Sequence, residues 1–198
     1  MNLKKRTALV TGAGKGIGKA CAIALAEAGA DLIVVSRTQK DLDNVSRIIR
    51  KFRSKCASYV CDVTNYNKIK NIINKQKKID ILVNNAGMLF NSLFQMTSEK
   101  KLKEIFQVNY FSQVYLTQFI SRGMAKNKKG NIIFVSSTSG LNGDYGRFAY
   151  SSTKAAILNT VKTLSKELSN YNIRVNAISP GLTETDLMLS NTKKEIIK

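Results

Sequence analysis

Hydrophobic residues along this chain fall into two alternating rhythms. Short apolar runs, rich in β-branched residues, occupy Thr7 to Thr11, Asp31 to Val35, Ser58 to Cys61, Ile79 to Val83, Asn131 to Ser136 and Arg174 to Ile178. Their length and composition predict strands. Between them, apolar positions recur at helical spacing over Gly16 to Ala28, Lys40 to Phe52, Asn67 to Gln76, Glu99 to Ala125 and Tyr150 to Leu168. Strands separated by helices form βαβ units, and right-handed crossovers then give an α/β, Rossmann-like doubly wound parallel sheet of six strands with helices on both faces. No Pro/Gly/Ser-rich linker, internal repeat or low-complexity block interrupts the alternation, so residues 1–198 are expected to form a single domain.

Composition narrows the chemistry. With 198 residues, 43% of them hydrophobic, the chain is expected to bury roughly 70% of its unfolded surface, which excludes a disordered tail. It has no His, which removes Ser-His-Asp and Cys-His nucleophile systems and any imidazole metal site. Acid-base work near neutral pH must come from Tyr, Lys, Cys or a carboxylate. Cys21, Cys56 and Cys61 lack CxxC spacing and read as small core residues, and no metal is expected. The formal charge is +19, but the lysines are spread from Lys4 to Lys198 without interleaved aromatics. A solvated basic surface is expected, with no nucleic-acid partner. The apolar stretch from Ala20 to Val35 is broken by Glu27, Gly29 and Asp31, and the run after Lys4, Lys5 and Arg6 stops at Val10. No membrane span or secretion signal is expected, and the location expected is cytoplasmic.

The first apolar run leads straight into Gly12-Ala13-Gly14-Lys15-Gly16-Ile17-Gly18 and then a helical pattern. In that strand-turn-helix setting the glycines predict a cradle for a pyrophosphate, which meets free N–H groups and the positive end of the helix dipole. A dinucleotide fold brings the end of its second strand to the adenosine ribose, where an NAD-preferring site places a carboxylate. Here Val35 is followed by Ser36 and Arg37, with no carboxylate. Together with Lys15 they offer a hydroxyl and two cations suited to a 2′-phosphate, so NADP(H) is expected over NAD(H). The alternative for Arg37 is an ordinary surface cation.

Taken in order, Thr11-Gly12-x3-Gly16-x-Gly18, Asp62-Val63, Asn84-Asn85-Ala86-Gly87, Asn109, Ser137, Tyr150-x3-Lys154 and Pro180-Gly181-x3-Thr185 resemble the motif series of the short-chain dehydrogenase/reductase family. Each motif alone is weak, but their joint order covers nearly the whole chain. The resemblance implies cofactor contacts from Thr11, Gly12, Gly14, Lys15, Gly16, Ile17 and Gly18 in the turn, from Ser36 and Arg37, and from Asp62 and Val63 at the adenine. It implies further contacts from Asn85, Ala86 and Gly87 after the fourth strand, from Tyr150 and Lys154, and from Pro180, Gly181, Thr183 and Thr185 at the nicotinamide. Within the family the chain looks most like reductases of 3-oxoacyl-carrier-protein thioesters, with some similarity to sugar and diketone reductases around Thr11 to Arg37.

Tyr150 and Lys154 are four apart on one helical pattern, so their side chains share a face. A free phenol titrates near 10, and a nearby ammonium is expected to lower it, making Tyr150 the candidate general acid toward a substrate carbonyl oxygen. Ser137, at the carboxyl end of the fifth β-run, is expected to orient the same oxygen. The resemblance implies in addition that Lys154 binds the nicotinamide ribose and that Asn109 holds a water of a proton relay. Taken singly, each has a structural alternative: a half-buried aromatic for Tyr150, a solvated cation for Lys154, a turn residue or helix cap for Ser137, and a backbone-bonded helix residue for Asn109.

Family members normally continue past Thr185 through substrate-covering helices and a seventh strand. Here a polar, Lys-rich stretch follows Leu189, so the resemblance implies a C-terminally shortened domain with the sixth strand at an open sheet edge. Gly140 to Phe148, with Asp144 and Arg147, would border the substrate pocket, and Lys128 and Lys129 would meet an acidic carrier protein or simply face solvent. Three readings follow: an NADPH-dependent reductase of 3-oxoacyl-carrier-protein thioesters, a reductase of small ketones, sugars or diketones, and a catalytically weak NADP-binding module. The resemblance also implies homodimers or homotetramers through Glu99 to Ala125 and Tyr150 to Leu168.

Overall fold

A computed structural model describes residues 2–189; the polar stretch beyond Leu189 lies outside them. Six strands, β1 (Thr7–Thr11), β2 (Asp31–Ser36), β3 (Cys56–Val60), β4 (Ile81–Asn84), β5 (Gly130–Val135) and β6 (Ile173–Ile178), form one parallel sheet in the order β3-β2-β1-β4-β5-β6. Helices α1 (Gly16–Glu27), α2 (Gln39–Lys51), α3 (Tyr66–Asn74), α4 (Glu99–Phe106), α5 (Ser112–Lys126), α6 (Ser139–Asn142), α7 (Phe148–Glu167) and α8 (Asp186–Leu189) connect and follow them. The Rossmann-like expectation holds.

Side chains alternate across each strand, and the register turns that alternation into two layers. Leu9 lies opposite Ile33 and Leu82, and with Ile132 and Phe134 these pack on one face against Ile69 and Ile72 of α3, Leu116 and Ile120 of α5 and Ile157 of α7. Their neighbours Ala8, Val10, Leu32, Val34, Ile81 and Val83 face the other way, onto α1 and α2. Small Ala22 and Ala26 let α1 approach closely, while Leu42, Val45 and Ile49 give α2 its buried stripe. Each fully buried Leu or Ile contributes about 1.5–3 kcal/mol relative to exposure. At the far edge β6 buries Ile173 and Val175 but leaves Arg174, Asn176 and Ile178 exposed, so among the described residues it is covered on one face only.

Several boundaries differ from the sequence reading. β3 starts at Cys56 because that residue already pairs with Leu32 of β2. β4 starts at Ile81 because Asp80 serves as a hub: its carboxylate accepts from Arg6 at 2.9 Å and from the Thr7 N–H at 3.1 Å, and pairs with Lys78 at 2.7 Å. Burial pushes the Asp80 carboxyl up, but these partners outweigh it and hold it below the usual carboxylate range. The expected long helix from Glu99 to Ala125 is α4 and α5 joined by a π-helical turn, Gln107–Phe111. Among the described residues, no helix is long and apolar enough to cross a membrane.

Candidate active site

β1 pairs with β2 on one side and β4 on the other, so the crossovers leave in opposite directions at its carboxyl end. Such a switch point opens a crevice. Here a cleft of about 1050 Å³ runs from Ser36 and Arg37, past the glycine turn, to Ser137, Tyr150 and Lys154.

The turn is built for close backbone approach. Gly12 has φ +62°, a left-handed conformation that side chains disfavour. A Cβ on Gly18 would lie 2.3 Å from the Gly12 carbonyl oxygen and 2.3 Å from Asn85 Nδ2, so α1 packs on the turn only because Gly18 has no side chain. Asn85 Nδ2 donates to the carbonyls of Thr11 at 3.0 Å and Gly12 at 3.1 Å. Thr11 Oγ1 accepts in return from the N–H groups of Asn85 and Ala86, both at 3.1 Å. No side chain caps the start of α1, so its positive end faces the cleft. Gly12, Gly14, Lys15, Gly16 and Ile17 line the cleft, a cradle that fits a pyrophosphate. Thr11 and Gly18, expected as cofactor contacts, instead stand behind the lining: Thr11 is buried as a tie between β1 and β4, and Gly18 is a packing position.

At the end of the cleft beside β2, Ser36, Arg37 and Lys15 converge. The structure adds Asp41, which lines the same space and lies 3.8 Å from Lys15 Nζ. The end of β2 itself carries no carboxylate, and Asp41 reaches this space from α2. The missed signal is Thr38 before α2 with Asp41 in its first turn, which brings an acid back toward the helix start. Asp62 and Val63 line the neighbouring wall. Burial pushes the Asp62 carboxyl up, but hydrogen bonds from the Thr64 N–H and hydroxyl, and the Arg37 charge, hold it below its usual value.

At the other end, Ala86 and Gly87 line the floor beside Asn85, and Pro180, Gly181, Thr183 and Thr185 form a facing wall. Thr138 N–H donates to the Pro180 carbonyl at 3.1 Å, tying that wall to the end of β5. Ser137 is 9% exposed and its Oγ accepts from the Ser139 N–H at 3.2 Å. Lys154 is buried; its Nζ donates to the Val135 carbonyl at 2.8 Å and lies 5.6 Å from the Tyr150 ring centre. Burial lowers the Lys154 ammonium to about 8. The expectation for Tyr150 needs correction: burial pushes its phenol above 10, and the Ser137 hydrogen bond and the Arg147 charge recover only part of that, with Asp144 opposing. Lys154 is not what sets its acidity here; desolvation is the larger effect.

Asn109 does not reach the cleft. It is fully buried in the π-helical turn, where its Oδ1 accepts from the Met88 N–H at 2.7 Å and its Nδ2 donates to the Met88 carbonyl at 2.9 Å and Thr153 Oγ1 at 3.2 Å. Its side chain thereby pins the segment after Gly87 to α7, just below Tyr150. These are the bonds of the backbone-bonded helix residue named as the alternative for Asn109.

Residues 6–196 match the family model described as short chain dehydrogenase. Among curated proteins the chain is similar to a 3-oxoacyl-[acyl-carrier-protein] reductase, FabG, of Thermotoga maritima, at 36% identity over 94% of this chain and 78% of that protein. It is also similar to the L-xylulose reductase of Bos taurus, at 35% identity over 94% of this chain and 75% of that one. A solved structure of 7α-hydroxysteroid dehydrogenase, complexed with NADH and 7-oxoglycochenodeoxycholic acid, superposes with a TM-score of 0.93 at 33% identity, covering 98% of this chain and 78% of that chain.

Proposed function

The chain belongs to the short-chain dehydrogenase family, and on that footing we propose that it is an NADPH-dependent carbonyl reductase that converts 3-oxoacyl-carrier-protein thioesters to 3-hydroxyacyl thioesters. The observation that carries the reading is a single cleft with cations Lys15 and Arg37 at one end and Ser137, Tyr150 and Lys154 at the other. The backbone of Gly12 to Ile17 would hold the pyrophosphate, Ser36, Arg37 and Lys15 a 2′-phosphate, Asp62 and Val63 the adenine, Lys154 the nicotinamide ribose, and Pro180 to Thr185 the nicotinamide. When bound, the nicotinamide supplies the hydride.

The remaining chemistry belongs to this chain. Burial keeps the Tyr150 phenol protonated at neutral pH, the form needed to give a proton to the substrate oxygen. Ser137, which lines the cleft beside Tyr150 and lowers its phenol's pKa, orients that oxygen. Lys154 brings a buried cation, and with its proton held to about pH 8 it favours the developing charge. Asn109 acts as a positioning residue through Met88 and Thr153. Residues 1–198 act as one dinucleotide-binding and catalytic domain, paired as a homodimer or homotetramer through α4–α5 and α7.

A second reading, reduction of small sugars or ketones, is favoured by the likeness to L-xylulose reductase. Rates with NADPH and NADH, each tested on acetoacetyl-carrier protein and on xylulose, separate the two. Faster NADPH oxidation with the carrier-bound substrate is expected. Preference for xylulose would replace the substrate, equal rates with NADH would remove the cofactor preference, and no oxidation with either would overturn the reductase reading.

A further inference from the structure

Arg147 stands three residues before Tyr150, at the N-terminal boundary of α7, and lines the substrate end of the cleft. Tyr150 lines the same cleft, and the Arg147 charge acts directly on its phenol, so the guanidinium and the phenol are close neighbours there. It is held from two directions. Nη1 donates to Asp144 Oδ2 at 3.3 Å and Nε to Asn91 Oδ1 at 3.2 Å. Asp144 is fixed in turn by the Ser139 hydroxyl, and the Ser139 N–H reaches Ser137 Oγ at 3.2 Å. The loop carrying Asn91 is joined to the same segment by the Ser92 N–H, which donates to the Gly146 carbonyl at 2.8 Å. One hydrogen-bonded chain therefore runs from the candidate catalytic serine to the guanidinium.

A guanidinium has five N–H donors in a rigid fork, and these two contacts occupy only part of it. Fixing such a fork in advance removes most of the entropy cost of using it on a ligand. Its chemistry asks for an oxygen acceptor. A 3-oxoacyl compound carries one at a constant spacing from the ketone, namely the oxygen of its acyl group, whether thioester or carboxylate. We propose that Arg147, held by Asp144 and Asn91, recognises the acyl oxygen of a 3-oxoacyl substrate and so selects 1,3-dicarbonyl compounds over simple ketones. This rests on the reductase reading above and names the substrate feature that the same site reads. Tyr145 and Leu182, exposed at 91% and 63%, give the same mouth apolar surface for the rest of the acyl chain.

The test compares acetoacetyl-N-acetylcysteamine, acetoacetate and 2-pentanone as substrates of the full chain with NADPH. In Arg147→Ala the ratio of kcat/KM for the thioester to that for 2-pentanone is expected to fall about 10-fold or more, mainly through KM. Any change in Tyr150 acidity acts on both ketones and cancels in that ratio. The backbone role of Arg147, whose carbonyl accepts from the Ser151 N–H at 2.8 Å, survives the substitution. NADPH binding by the variant checks its fold, and Arg147→Gln carries the comparison should Arg147→Ala fail to bind. A larger loss for acetoacetate than for the thioester identifies carboxylate as the favoured acyl group, and the reverse identifies the thioester. A ratio unchanged within about twofold, while 2-pentanone is still reduced, overturns this inference alone. No turnover of any of the three by the unsubstituted chain overturns the reductase reading with it.

Discussion

Around β1, β2 and β3 the sheet is closed by α1 and α2 on one face and by α3 and its neighbours on the other, and the cleft there is built on the glycine turn, with Lys15, Ser36, Arg37 and Asp41 beside it. Around β6 only one face is covered among the described residues, and the cleft wall includes side chains on short segments: Ser139, Asp144, Tyr145, Arg147 and Leu182. The difference separates two kinds of recognition. A pyrophosphate is the same in every dinucleotide and is met by a rigid glycine turn. A substrate is particular, and it is met by groups that packing does not dictate.

Matched substitutions in the two regions sharpen that contrast. Gly18→Ala places a Cβ against the Gly12 carbonyl, where no flexible side chain can yield, and is expected to cost about 1–3 kcal/mol and at least tenfold in NADPH affinity. Asn176→Ala on the exposed face of β6 is expected to stay within about 0.5 kcal/mol. Urea unfolding of both variants measures the pair; equal losses would remove the distinction.

The buried ammonium makes the second comparison, because it sits where the two regions meet. Lys154 holds its proton to about 8 in the fold against about 10.4 in the unfolded chain, so charging it at pH 7 costs on the order of 3 kcal/mol. Between those values the unfolded chain binds the extra proton, so this group's contribution to stability rises with pH. Lys154→Met is expected to abolish turnover, to be at least as stable at pH 7, and to lose the rise in urea midpoint that the unsubstituted chain shows on that alkaline limb. A variant less stable at pH 7 would mean that the Val135 hydrogen bond outweighs the desolvation cost.

A smaller effect belongs to Asp41. Its pair with Lys15 is long and the Lys15 end is exposed, so its removal barely changes stability. Freed of that counter-charge, Lys15 is expected to favour a 2′-phosphate, and Asp41→Asn to raise the NADPH-to-NADH ratio of kcat/KM a few-fold. A fall in that ratio would assign Asp41 the opposite role.

The same contrast explains what could be read in advance. The six alternating strands, the glycine turn and the Ser137, Tyr150 and Lys154 cluster follow from period, local spacing and motif order, all of which are written along the chain. Asp41 escaped because its approach to Lys15 depends on how α2 packs beside α1. The partners of Asn109, Met88 and Thr153, lie 21 and 44 residues away along the chain, so sequence order cannot show them. The phenol's acidity is hidden from the sequence because burial is a tertiary quantity, and at Tyr150 it exceeds the help from nearby donors and charge. Arg147 could be placed near the pocket, but its clamp joins residues 91, 144 and 147, which only the fold brings together.

Tyr150 carries the central claim, and NADPH oxidation with acetoacetyl-carrier protein by the unsubstituted chain and by Tyr150→Phe tests it most directly. Expected are measurable oxidation by the first and a loss of about 10²–10⁴-fold in the second, with NADPH binding retained. Equal rates in the two would contradict the assignment of Tyr150 as proton donor.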